Sequence, residues 1–107
     1  KHGLTDKFLV YWDKLAERFT NNPNIMGFVP LNEPFCSNFM SELSLMMPKN
    51  FDKEKLLPLY EKVYQVLQKH DKNANLHFET AQMPNIIGAM NGIVRPVGFD
   101  RLPGIPI

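Results

Sequence analysis

The run Ile25-Met26-Gly27-Phe28-Val29-Pro30-Leu31 is uncharged and apolar at odd and even positions alike. A half-exposed strand alternates apolar and polar. A segment apolar on both alternate faces fits a strand covered on both sides, as in a parallel sheet. Pro30 has no amide to give a central ladder, so it must lie near the strand's end.

The flanks suit that reading. Upstream, Leu4, Phe8, Tyr11, Trp12, Leu15 and Phe19 recur at three- and four-residue steps, which predicts an amphipathic helix over 4–19. Gly3 or Thr5 is placed to start it, and Asp6 suits the positive end of its dipole. Tyr11 and Trp12 fall on the apolar stripe and are expected in the core. Thr20-Asn21-Asn22-Pro23-Asn24 stops the helix, because Asn tolerates the left-handed conformation and Pro cannot continue a helix. Downstream, Leu56, Leu59, Tyr60, Val63, Val66 and Leu67 make the stripe of a second helix over about 53–70. Asp52 is the expected N-cap, and Pro58 marks a late start or a kink. Residues 70–73 close it, and Ala74-Asn75-Leu76-His77-Phe78 reads as a second strand ending at Glu79. Residues 80–107 suggest no regular element. Alternating helix and strand define an α/β chain.

Asn32-Glu33-Pro34 follows the first apolar run directly. Functional groups of α/β folds cluster at the carboxyl ends of strands. A carboxyl group set there with little to solvate it is expected to acquire the raised pKa of a general acid. The plain alternative is an exposed glutamate where a strand turns into a loop.

The segment from Phe19 to Pro34 resembles the fourth-strand region of glycoside hydrolase family 5, where a helix ending in Phe, an Asn-Pro turn and a Gly-containing apolar strand precede Asn-Glu-Pro. A closer resemblance is to the endoglycoceramidase-like branch. It rests on Leu57-Pro58-Leu59-Tyr60-Glu61-Lys62-Val63, on His70-Asp71 with Leu76-His77-Phe78-Glu79, and on Val97-Gly98-Phe99-Asp100 with Leu102-Pro103-Gly104. The resemblance implies part of a (β/α)₈ TIM barrel, from about the third helix to the fifth strand and the loop beyond. Such a barrel needs ~250 residues, against 107 here.

The same resemblance implies a retaining glycosidase acting on β-linked glycans, glycosphingolipids among them, with no metal or organic cofactor. Glu33 matches the acid/base glutamate, which protonates the glycosidic oxygen and then activates water against a covalent glycosyl-enzyme. Asn32 matches the asparagine that bonds the sugar 2-hydroxyl. The family nucleophile is expected beyond Ile107. Glu79 is a substrate-site candidate, more as a supporting hydrogen-bond or charge partner than as that nucleophile. His77 is a further candidate, although the branch carries an apolar residue there. Another family 5 β-glucanase or cellulase, or a non-catalytic glycan- or lipid-binding relative, remains as an alternative.

Between the first run and the second helix, Phe35, Phe39, Met40, Leu43, Leu45, Met46 and Met47 make an unusually apolar connection. Long loops of this kind are often functional. One reading is an adaptable lip for a lipid aglycone, which would bring the protein to a membrane surface; Met suits irregular partners. The other is a short helix over 38–47 packed on the fold.

The net charge of +1, with acids and bases interspersed, gives no field that would draw nucleic acid. No phosphate-binding glycine loop, Cys/His metal spacing or Ser-His-Asp pattern is present. The lone Cys36 forms no internal disulfide and leaves the compartment open; a secreted or lysosomal setting is implied by the resemblance alone. The chain begins Lys1-His2 and stops at Ile107 without a closing element, so it is expected to be a piece of a longer barrel domain.

Overall fold

The computed structural model describes residues 3–35, 40–47, 49–81, 99 and 101–103. Helix α1 spans Leu4–Phe19, as its periodicity predicts. Gly3 precedes it at φ 67°, in the left-handed region that glycine enters without penalty. Thr20 ends it, Asn21 takes φ 57°, and the Asn22 side chain accepts the Asn24 amide at 3.0 Å. The stop therefore works by the predicted chemistry.

Helix α2 spans Leu57–His70 and is led in by a π-helical turn, Asp52–Leu56. The wider turn sits just ahead of Pro58, in the first turn of α2, where a missing amide does least harm. Asp52 is not the expected N-cap. It lies inside the π turn, and no side chain caps it.

The two helices pack on each other. Trp12 and Ala16 of α1 meet Val63 and Leu67 of α2 in one buried cluster, with Phe28 and Leu76 against it. Val63 and Leu67 are fully buried, each contributing about 1.5–3 kcal/mol relative to exposure. Tyr11, expected in this core, is 57% exposed instead. A second cluster gathers Leu56, Tyr60 and Ala81, with Leu31, Phe51, Phe78 and Phe99 around them. The rings of Tyr60, Phe78 and Phe99 contact one another at 5.3–6.0 Å between centroids. Arg101 pairs with Glu61 and ties that end of the chain to α2.

The expected partial (β/α)₈ barrel is overturned. Among the described residues there are two α-helices and no strand, and so no sheet. The two segments read as strands touch through a single parallel bridge, Phe28 to Leu76. Phe28 N donates to Asn75 O at 2.9 Å, and His77 N to Phe28 O at 2.9 Å.

The ladder stops there because the next groups are diverted. Pro30 has no amide to offer. The Asn75 side-chain amide takes the Met26 carbonyl at 3.1 Å, and the Glu79 amide turns to the Tyr60 hydroxyl at 3.4 Å. The apolar run is also not covered on both sides: Met26 is 82% exposed and Val29 51%, while Phe28 is half-buried.

Among its described residues the connection holds a 3₁₀ turn, Leu43–Met46. Cys36, Phe39 and most of the expected irregular stretch 80–107 lie outside the described residues. Among the described residues no helix is long and apolar enough to cross a membrane.

Candidate functional site

Asn32 and Glu33 emerge where the apolar run turns, and both are exposed, so the poorly solvated setting expected for Glu33 is not found among the described residues. Leu31 and Pro34 on either side are turned inward instead, half-buried and buried. Glu33 adopts φ 48°, a left-handed conformation uncommon for a residue with a Cβ. Its amide donates to Glu79 Oε2 at 2.9 Å. The structure thus brings two of the candidate residues together, Glu33 and Glu79, across 46 positions of sequence.

Glu79 is held from beneath by α2. The Tyr60 hydroxyl donates to the Glu79 carbonyl at 3.0 Å. Tyr60 is wholly buried, and burial pushes its phenol above the ordinary value of 10.0. Two residues on, the Ala81 amide donates to Asp52 Oδ1 at 2.7 Å, with Asp52 only 1% exposed. A buried carboxylate is costly unless hydrogen-bonded, and this bond is part of what Asp52 gains there. The sequence pattern placed Tyr60 on a stripe and Asp52 at a cap. The one available hint was the phenol itself, since a buried Tyr needs a partner for its hydroxyl.

Beside Leu31 and Pro34 runs an open, mainly apolar groove of about 420 Å³. Phe35, Leu45, Phe51 and Leu59 line it, and the Glu42–Lys55 ion pair, 3.0 Å, stands at its edge. His77 lies elsewhere. It is exposed and borders a separate hollow with Met26 and Val29, its ring packed over Gly27. The structure therefore does not bring His77 to the groove. Among the described residues no group of three or more His, Cys, Asp or Glu is placed to hold a metal ion.

The chain that carries this site is related in sequence to glycosidases. The particular relatives are endoglycoceramidases: it is 32% identical over 102 residues to that of Hydra vulgaris and 30% identical over 102 residues to that of Cyanea nozakii. Each match takes in 95% of this chain, which spans only 18% of the relative's length. No family model and no solved structure matches the chain.

Proposed function

We propose that this chain supplies the acid/base half of a retaining glycosidase site that cleaves β-linked glycans from glycolipids, in the manner of glycoside hydrolase family 5. The observation that carries the reading is the relationship to endoglycoceramidases across 95% of the chain, a span that takes in Asn32, Glu33 and Pro34. In this reading Glu33 gives its proton to the departing glycosidic oxygen. It then removes one from the water that releases the sugar, and Asn32 bonds the sugar 2-hydroxyl. The covalent step needs a second carboxylate, for which the resemblance points beyond Ile107.

The groove beside Pro34 supports a lipid aglycone in particular. The connection supplies a 3₁₀ turn whose Leu45 is 5% exposed and anchors it, while Leu43 and Met47 stay largely exposed. Both sequence readings of this stretch thus have something in their favour: a short packed turn, carrying apolar side chains that face outward.

The test uses the intact protein with two substrates, a β-linked glycosphingolipid and a water-soluble aryl β-glycoside. Glu33→Gln keeps the side chain's shape but cannot donate the acidic proton. It is expected to lower the rate about 10²–10⁴-fold on both substrates. Leu43→Ser with Met47→Ser is expected to slow the glycosphingolipid alone. Unchanged rates in Glu33→Gln would end the acid/base reading, and an equal loss on both substrates in the loop variant would end the lipid reading.

A further inference from the structure

We infer that Glu79 and Tyr60 are positioning residues that fix the direction in which the Glu33 side chain leaves the backbone; the inference rests on Glu33 being the acid/base. Glu33 needs such a support. Its φ of 48° is a sparsely populated conformation. Pro34 disfavours the right-handed helical region for the residue before it, but does not itself select the left-handed one. The selecting contact is the bond from the Glu33 amide to Glu79 Oε2, 2.9 Å long. It is charge-assisted when Glu79 is ionised and therefore stronger than a neutral bond.

A support acts only if it is itself fixed. Glu79 meets that condition through its backbone. Its carbonyl accepts from the Tyr60 hydroxyl at 3.0 Å, and its amide lies 3.4 Å from the same oxygen. Ala81 is pinned to Asp52 at 2.7 Å. Both anchors belong to the start of the second helical segment and both are buried, Tyr60 at 0% and Asp52 at 1% exposure. The path therefore runs from the α2 core, through the 79–81 backbone and the Glu79 carboxylate, to the Glu33 amide. Small misplacement of a reacting group costs rate steeply, about 10²-fold for 1 Å. The burden of this path thus falls on kcat rather than on substrate affinity.

The experiment measures kcat and KM of the intact protein on lactosylceramide, with hydrogen exchange at the Glu33 amide followed by NMR. Glu79→Ala is expected to lower kcat about 10- to 100-fold with KM within about 2-fold, the range spanned by loss of a charge-assisted bond. Glu79→Gln still presents an acceptor oxygen and is expected to recover most of that loss. Tyr60→Phe keeps the ring in the core, removes only the hydroxyl, and is expected to lower kcat several-fold. Exchange at Glu33 should quicken about 10-fold in Glu79→Ala and stay near normal in Glu79→Gln, as loss of one bond implies.

An unchanged kcat in Glu79→Ala, while Glu33→Gln is inactive, overturns the positioning role and leaves the acid/base reading standing. A loss confined to KM, or no recovery in Glu79→Gln, overturns it as well. Should the protein cleave no glycoside at all, the acid/base reading is what fails. Glu33 amide exchange that does not respond to Glu79→Ala would then still refute the support.

Discussion

Gly27 is a residue at which packing leaves little freedom. A methyl group there would run into the His77 ring and approach the Asn75 carbonyl to 3.0 Å. The ring is exposed and able to swing away, whereas the carbonyl belongs to the bridge and cannot. Gly27→Ala is therefore expected to cost about 1–3 kcal/mol, the usual range for overpacking. Adding His77→Ala should restore part of that loss but not all, because the backbone contact stays. A urea-melt double-mutant cycle measures the split, and full restoration would show that the carbonyl contact is harmless. In either case the His77 ring serves as a cover over Gly27. At this scale the Asn-Glu pair was legible as a motif. The left-handed turn at Glu33 was not, because the carboxylate that its amide bonds lies 46 residues away and leaves no local mark.

Between elements, the α1–α2 pairing has a polar clamp at its edge. Asp13 Oδ1 accepts from His70 Nε2 at 2.8 Å and from Lys69 Nζ at 3.1 Å. The Thr20 hydroxyl donates to the His70 carbonyl at 2.9 Å. The His70 bond first, then Lys69, holds the Asp13 carboxyl below its ordinary value of 3.8. A carboxyl whose folded pKa is lowered adds stability that is fully present above the unfolded value. That stability is lost as pH falls through the folded one. Thermal midpoints of the wild type should therefore drop as pH falls below the ordinary carboxylate range. Asp13→Asn should start lower at neutral pH and lose less on acidification; parallel curves for the two proteins would rule the clamp out. Helix α1 was legible to the residue, because its period, Gly3 and the Asn turn all agree. The strands were not. A buried ladder and an apolar segment bonded at one point share the same composition. What separates them is where Asn75, Tyr60 and Pro30 send or withhold their hydrogen bonds. Asp52 misled for a similar reason: its partner, Ala81, is 29 residues away.

At the scale of the whole molecule, the two buried clusters found among the described residues sit beneath a surface that keeps many large apolar side chains in water. Leu4, Met26, Met40 and Leu43 are each at least 68% exposed. With a net charge of +1 there is little repulsion to keep copies apart. The 107-residue chain alone is expected to self-associate at tens of micromolar, the regime in which exposed apolar surface drives association. Sedimentation velocity showing a monomer over that range would refute this. The lone tryptophan gives such measurements a specific meaning. Trp12 is sealed at the seam of α1, its indole edge-on to Phe28 at 6.3 Å. Tryptophan emission from this chain is consequently a report from one place: a shift to the red marks water entering the cluster that Trp12 shares with Val63 and Leu67 of α2 and with Phe28. The Asp52–Tyr60 end can loosen without changing that colour, so optical melting is silent about the contacts that hold the 79–81 backbone.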